Sequence, residues 1–473
     1  MRIQNRLIKD TTLYAVGPML NKCIALLLVP YYSYVLAKDE FGYYDLVLTG
    51  SQLIIAIVTL KISDGLYRWL TMERPDKQKQ IRAISCSFLI ISGGILLILL
   101  INAFVPHAAF PFKNLVCGYV ISGMALAHFY QLLRGLGMIK SYSFLSVITG
   151  GSFLLLNIIF LGVMHLQLQG VILALLLSNV AGVIYAVFRV RLPEYLRLRE
   201  VNLNTIKEMV RYSAPLVYNA VSWWLMGGFD RYIIAIFLGL AANGIYAVSV
   251  KYCSVIILVN SFFIPAWQDL LLKNVAAFQV KTHVAKMFNH YGCILFSAVI
   301  LLSAFSRLLL GLLIDVRYID SWKYIPLLLS GAGLLSMTSF LGTLFVLEKK
   351  TVHIFKTSLA GSILNVLVTL LLIRPLGLYA PALGIVSGFL VILLIRYGYY
   401  KKKMELKIND RRLWFLLGTF IFTLFGLYAS SLLFYYSSLL ISVIAILIIN
   451  RNLGKELAIV FRSIFSRLRK ATG

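Results

Sequence analysis

Fourteen apolar runs of about twenty residues follow one another along this 473-residue chain. A run of that length, wound as a helix, crosses the roughly 30 Å hydrocarbon core of a bilayer. Hydrophobic residues make up 60% of the sequence, above the roughly 45–50% of soluble domains. We therefore predict an all-α polytopic membrane protein. The predicted spans are 11–36, 43–65, 83–105, 112–134, 142–164, 169–189, 213–238, 242–265, 287–313, 323–347, 352–373, 377–397, 413–432 and 435–450.

Most basic residues lie in every second segment between the predicted spans, on one side of the membrane. Lys and Arg number 45 against 18 Asp and Glu, a net charge of +27 that in a soluble protein would indicate nucleic-acid binding. With the N-terminus in the cytoplasm, the inner segments carry 35 basic residues and the outer segments five. The positive-inside rule then predicts two cytoplasmic termini and requires no nucleic-acid partner. The basic tail RSIFSRLRK is expected to lie on anionic lipid or to bind a partner protein.

A weak internal repeat suggests that the chain is duplicated. YAVGPMLN at 14–21 is matched by YSAPLVYN at 212–219, and Gly42 is matched by Gly244 after a short insertion. Each copy then holds six spans and begins in the cytoplasm, so the copies are related by an axis along the membrane normal. The alternative is chance similarity among apolar segments.

The repeat predicts two pseudo-symmetric six-helix lobes around a central cavity, followed by two extra helices. The predicted divisions are an N-lobe at 1–200, a C-lobe at 201–403, and the last two spans with a basic cytoplasmic tail at 404–473.

Four ionisable residues inside the predicted spans are singled out as a candidate site: Lys22, Asp230, Arg231 and Lys251. Each costs about 2.5–3.5 kcal/mol near the bilayer centre if it faces lipid, so they should face a wet cavity or one another. Three cations against one anion leave two positive charges in excess. We expect Asp230 to pair with a lysine and Arg231 to meet a ligand, and a diphosphate would supply the missing negative charge. The alternative is an ion-pair network that only fixes helix packing.

A second group of charges lies at the inner end of the second span. KISDGLYR places Lys61, Asp64 and Arg68 at helical spacings of three and four, on one face. They form either a solvated pairing at the membrane interface or a cytoplasmic gate that first contacts an incoming anion. Arg134, at the inner end of the fourth span, has the same two interpretations.

Signals for enzyme chemistry are missing from the sequence. It contains no Walker A motif and no HExxH motif, its six histidines are scattered, and its five cysteines lack metal or disulfide spacing. The predicted outer loops are too short for a catalytic domain. We therefore predict no enzyme activity, no catalytic residue, no metal site and no cofactor. The sequence leaves open whether the protein is coupled to the membrane potential, to H⁺ or to Na⁺.

Four stretches carry a family resemblance: VLAKDEFGYYDL at 35–46, DGLYR at 64–68, RGLGMIKSYS at 134–143 and FDRYIIAIFLGLAANGIYAVSVKY at 229–252. They resemble the Wzx-type flippases for lipid-linked oligosaccharides, in the polysaccharide branch of the MOP exporter superfamily. The resemblance extends over the whole chain in length, span count and loop pattern. It implies two lobes in a V that carry undecaprenyl-diphosphate-linked repeat units to the outer leaflet by alternating access, for O-antigen, capsule or exopolysaccharide.

The resemblance also implies a cationic central cavity, to which Lys22, Arg231 and Lys251 would belong, with Asp230 beside them. It implies a monomer in the bacterial cytoplasmic membrane. The implied partners are membrane lipids and lipid-linked oligosaccharide, and a polysaccharide polymerase and the chain-length machinery are candidate protein partners. Three other functions stay open: a lipid II flippase, a multidrug or ion antiporter of the same superfamily, and a membrane polysaccharide polymerase. An antiporter for cationic drugs would favour acidic residues in its cavity, and a polymerase would want a large outer loop.

Overall fold

The computed structural model describes residues 2–72, 76–106, 110–273, 280–404, 411–429 and 431–451, and every regular element within those ranges is helical. The predicted basic tail after residue 451 lies outside the described residues. Short 3₁₀ turns and one π-helical turn, at Ile158–Val163, supplement the α-helices. The α-helices are α1 (Arg2–Val35), α2 (Lys38–Val58), α3 (Ile62–Met72), α4 (Lys77–Phe104), α5 (Lys113–Gly135), α6 (Ile139–Asn157), α7 (Gln167–Val190), α8 (Leu203–Gly227), α9 (Phe229–Leu238), α10 (Leu240–Lys273), α11 (Val280–Leu313), α12 (Ile325–Leu347), α13 (Thr351–Leu376), α14 (Tyr379–Met404), α15 (Arg411–Tyr428) and α16 (Leu432–Ile449).

Each predicted span lies mostly on helix, and the second, at 43–65, is interrupted between α2 and α3. Eleven helices are long and apolar enough to cross a membrane, and the bent pair α8 and α9 makes a twelfth. The remaining two predicted spans correspond to α1, whose apolar part is Met19–Val35, and to the 18-residue α15. Helices dominate because backbone polar groups in lipid must be satisfied within their own segment. The structure thus confirms an all-α, multi-pass membrane protein of about fourteen spans.

The helices form two compact units. The first runs to Ala235 and includes Gly239–Gly244, and the second comprises Ile236–Leu238 and the chain from Ile245 onward. Within the first unit, α8 packs against α2, α3 and α4. These units end at residues other than those of the lobes predicted at 1–200, 201–403 and 404–473, and that lobe division stays a prediction.

Small residues let the helices of the first unit pack closely. A methyl group added to Gly182 of α7 would overlap Thr149 of α6, and one added to Gly135 of α5 would overlap Leu70 of α3. Such contacts favour helix association in a bilayer, where burial of apolar surface supplies little net driving force. Around them, apolar side chains of six helices form one buried cluster, which includes Leu66, Ile84, Leu132, Leu145 and Met209.

A buried arginine joins three helices of the second unit. Arg396 of α14 is 3% exposed. Its guanidinium donates hydrogen bonds to the carbonyls of Thr338 and Ile354 and to the hydroxyls of Thr357 and Ser358. The charge count places Arg396 among the basic residues of the inner segments, and its side of the membrane stays a prediction. Its side chain lies between α12, α13 and α14, where neutral oxygens satisfy it.

The internal repeat is visible as a reciprocal contact between α2 and the first turn of α10. A methyl group on Gly42 would overlap the carbonyl of Leu240, and one on Gly244 would overlap the carbonyl of Lys38. Both pairs, Gly42 with Gly244 and Lys38 with Leu240, are 202 positions apart, so each copy makes the same contact to the other. Asn243 also donates to the Gly42 carbonyl at 2.8 Å. This local two-fold relation is the one expected of a duplicated bundle.

Candidate functional site

The seventh span is broken at its charged residues. We predicted one helix over 213–238, but α8 ends at Gly227 and α9 begins at Phe229, with a bend of 43° between them. Gly228 lies between the two helices. Glycine is a usual site of sharp kinks because it lacks a side chain to support the helix. The bend places the backbone of Gly227 beside the charged residues of the next turn.

Arg231 is held by a carboxylate that we had not counted. Its Nε donates to Oδ2 of Asp45 in α2 at 2.5 Å, and its Nη1 donates to the Gly227 carbonyl. Arg231 is 7% exposed and Asp45 1%. Arg231 therefore already has a carboxylate partner in this structure, and its contact with a ligand stays a prediction. With Asp45 included, the excess of cations over carboxylates among these residues falls from two to one.

Two more donors fix the broken span against α2. The indole Nε1 of Trp224, before the break, donates to the Thr49 carbonyl at 2.9 Å. The hydroxyl of Tyr232, after the break, donates to the Leu46 carbonyl at 3.1 Å, and a methyl group on Gly50 would overlap that hydroxyl. Together with Arg231, these contacts hold both sides of the break on one helix. The arginine thus has a positioning role in the bend.

Asp230 is fully buried in the first turn of α9. A carboxylate there is stabilised by the unpaired backbone N–H groups and by the positive end of the helix dipole. The predicted pairing of Asp230 with Lys22 or Lys251 stays a prediction.

The two predicted lysines are less enclosed than Arg231. Lys22 is exposed on α1, and Lys251 is half-buried on α10. Lys22 belongs to the first compact unit and Lys251 to the second. Their shared membership of one cationic cavity stays a prediction.

Two members of the predicted inner charge group, Lys61 and Asp64, form an ion pair. Lys61 Nζ lies 3.3 Å from Oδ2 of Asp64, and each side chain is about one third exposed, at 36% and 35%. Gln131 of α5 donates its amide to the same carboxylate at 2.8 Å. Lys61 does not share a helix with Asp64, because α2 ends at Val58 and α3 begins at Ile62.

The break between α2 and α3 carries backbone strain. Leu60 and Lys61 have φ of 49° and 54°, in the left-handed region. That region costs an L-residue other than glycine roughly 1–2 kcal/mol. Strained backbone of this kind clusters at ligand-binding and switch segments. No sequence signal marked it, since neither residue is Gly, Asn or Asp.

Arg68 and Arg134 lie over aromatic rings. The Arg68 guanidinium is 4.2 Å from the ring centre of Tyr212, and that of Arg134 is 4.2 Å from the ring centre of Tyr67. Both arginines are exposed. Cation–π contacts of exposed groups contribute about 0.5–1 kcal/mol each. Their role in a cytoplasmic gate stays a prediction.

The family of the chain follows from a match to known sequences. The profile described as "Polysaccharide biosynthesis protein" matches residues 7–267, more than half of the chain. The chain belongs to the polysaccharide biosynthesis protein family. No curated protein matches it. The matched region contains every predicted site residue, from Lys22 to Lys251.

Solved structures place this family member in the MOP fold. The chain is similar to the lipid II flippase MurJ in an inward closed conformation, with a TM-score of 0.70 and 12% identity over 94% of this chain and 100% of that one. It is also similar to an inward-facing multidrug resistance MATE transporter of the MOP superfamily, with a TM-score of 0.67 and 15% identity over 83% and 94% of the two chains. A MOP superfamily transporter from Pyrococcus furiosus, described as having a binding pocket of reverse polarity, gives a TM-score of 0.59 and 14% identity over 84% and 96%. At these identities the similarity establishes the fold and leaves the substrate open.

Proposed function

We propose that the protein is a flippase that moves undecaprenyl-diphosphate-linked oligosaccharide repeat units from the inner to the outer leaflet of the bacterial cytoplasmic membrane. It would work by alternating access, without catalysis, in the synthesis of a surface polysaccharide. In this proposal both termini are cytoplasmic and the working unit is a monomer.

One observation carries the choice of substrate: a polysaccharide biosynthesis protein with the MOP fold has more cations than carboxylates within its spans. Among the residues of the candidate site, Asp45 neutralises Arg231, which leaves Lys22 and Lys251 against Asp230. A further intramembrane cation, Arg307, lies over the rings of Trp322 and Tyr435. Charges at this depth are costly, so they are retained where a ligand or a wet cavity uses them. A lipid diphosphate is an anion that lysine can bind.

In the same proposal, Asp45 and Arg231 have a structural role, because they form a buried ion pair. They hold the bent seventh span on α2 together with Trp224 and Tyr232. Lys22 and Lys251 are the side chains we assign to the diphosphate. Lys61, Asp64, Arg68 and Arg134 remain our candidates for the cytoplasmic gate.

A lipid II flippase is the second candidate, because its substrate carries the same diphosphate-linked polyprenyl group and its fold is similar over nearly the whole chain. A drug antiporter is less consistent with the charges. Asp45 is already paired with Arg231, and the remaining lysines would repel cationic drugs.

Deletion of the gene separates these candidates. We expect lipid-linked repeat units to accumulate with their sugars facing the cytoplasm while the surface polymer is lost. The leaflet is measured by adding a lectin or glycosidase to intact cells and to inverted membrane vesicles. Complementation with the wild-type gene is the control.

Three other outcomes would contradict the proposal. Lipid-linked units that reach the outer leaflet while polymer is lost indicate a polymerase. Accumulation of peptidoglycan precursors indicates a lipid II flippase. Unchanged polymer with a new sensitivity to cationic drugs indicates an antiporter.

A further inference from the structure

A small cavity lined by both polar and apolar side chains lies in the first unit, beside the strained break between α2 and α3. Its volume is about 130 Å³. That is room for several waters, since one occupies roughly 10–15 Å³ on the same measure. The cavity lies between α2, the break, α3 and α5, and its polar lining consists of Gln52, Thr59, Lys61, Ser63, Asp64 and Gln131.

Two lining groups each commit one hydrogen to another group of the protein. The Thr59 hydroxyl donates to the Ile55 carbonyl at 2.7 Å. The Gln131 amide donates to Oδ1 of Asp64 at 2.8 Å. A hydroxyl has one hydrogen and two lone pairs, so Thr59 offers the cavity only an acceptor.

The hydroxyl of Ser63 is also committed as a donor, through a buried histidine. Ser87 donates its hydrogen to the Ile84 carbonyl at 2.8 Å, so it can only accept from His128 Nε2, 3.3 Å away. The neutral ring then carries its hydrogen on Nε2 and accepts at Nδ1. Ser63 Oγ, 3.1 Å from Nδ1, is the donor there. Ser63 therefore also presents lone pairs to the cavity.

The lining thus offers acceptors from Thr59, Ser63 and Asp64. A fourth acceptor is Oε1 of Gln131, a buried oxygen that accepts no hydrogen bond within the described part of the chain. Lys61 also lines the cavity, and its ammonium lies 3.3 Å from Oδ2 of Asp64. We infer that the cavity is a binding site for a small monovalent cation, Na⁺ or K⁺, whose place Lys61 takes in this structure.

Charge and geometry both favour a monovalent ion. The lining holds one carboxylate, so one added positive charge neutralises it when Lys61 withdraws. Divalent calcium takes six to eight oxygens and usually more than one carboxylate. Lys61 can withdraw because its backbone lies in the left-handed break, outside both α2 and α3. The cation site shares Lys61 and Asp64 with the proposed cytoplasmic gate but takes a ligand other than the anionic substrate, so its test needs no substrate.

The test is the thermal stability of the purified protein in NaCl, KCl and choline chloride at constant ionic strength. A ligand that binds only the folded state raises Tm as its concentration rises. We expect a saturable rise with Na⁺ or K⁺ that choline does not give. Lys61→Met removes the internal competitor and should tighten the apparent affinity by about fivefold or more. Asp64→Asn and Gln131→Leu should weaken it by about tenfold or more.

Arg191 and Glu194 provide the matched control, because they form an ion pair of the same spacing at the inner side. Arg191→Met and Glu194→Gln should leave the ion response unchanged. A rise in Tm with Na⁺ or K⁺ that appears in Lys61→Met but not in the wild type also supports the site, because it indicates that the Lys61 ammonium excludes the ion from the wild-type protein. Equal effects of the three salts in wild type and Lys61→Met, or a response that survives Asp64→Asn, overturn the inference. If Asp64→Asn fails to fold, Gln131→Leu replaces it in the test, and an ion response that survives Gln131→Leu overturns the inference.

Discussion

Replacing Arg231 with glutamine will destabilise the protein by about 3–5 kcal/mol, the cost of leaving one member of a buried ion pair without its partner. Asp45 is 1% exposed, and Arg231 Nε lies 2.5 Å from its carboxylate. Asp45→Asn combined with Arg231→Gln removes both charges and should recover most of the loss. The measurement is the Tm and the monodisperse yield of the detergent-purified variants.

Arg307→Gln is the matched control. Arg307 is also a cation within a predicted span, but its guanidinium lies 5.4 and 5.5 Å from the ring centres of Trp322 and Tyr435. Loss of such contacts costs about 0.5–2 kcal/mol. If Arg231→Gln is no less stable than Arg307→Gln, or if the double variant is as unstable as Arg231→Gln, then the pair with Asp45 does not hold the seventh span.

Lys22→Gln and Lys251→Gln should give full-length, membrane-inserted protein that has lost transport. Removing an intramembrane charge lowers the cost of insertion, so stability should hold for a lysine that does not pair with Asp230. If a lysine does pair with it, adding Asp230→Asn to the glutamine variant should restore the stability that the single variant loses. Each ammonium contributes a charged hydrogen bond to the diphosphate, and its loss should lower export by about tenfold or more. Export is measured as surface polymer per molecule of flippase in the deletion strain.

Lys140→Gln controls for the change from lysine to glutamine, because Lys140 is exposed at the inner start of α6. Lys22→Arg and Lys251→Arg keep the charge and should retain more export than the glutamine variants. Normal export by both glutamine variants would show that these lysines do not bind substrate, and the choice of an anionic lipid would lose its physical support.

The apolar runs were sufficient to predict every span, because a bilayer leaves few alternatives to a helix of about twenty residues. They could not reveal where a helix breaks. The seventh span reads as one run, yet it bends by 43° at Gly227 and Phe229. The double glycine before Asp230 was the available signal. The break at Leu60 and Lys61 had none, since both residues are ordinary helix formers.

The partner of Arg231 was missed for a different reason. Asp45 lies 186 positions away, in another helix, and a pairing at that distance depends on which helices pack together. The repeat was more informative, because it relates Gly42 to Gly244 and the structure brings those two positions into a reciprocal contact. The burial of Arg396 was missed because it lies near the end of a span, where sequence cannot distinguish a loop charge from a buried one.

The most direct test of the proposed function uses purified protein in vesicles that hold an undecaprenyl-diphosphate-linked oligosaccharide. A lectin added outside detects each sugar that reaches the outer leaflet. A polyprenol carrying the same sugar without phosphate, and the Lys22→Gln/Lys251→Gln double variant, serve as controls. We expect the wild-type protein to expose the sugar of the diphosphate-linked lipid but not that of the neutral lipid. We expect the double variant to expose neither. Equal movement of the neutral lipid, or transport of a cationic drug with no movement of either lipid, would contradict the proposal.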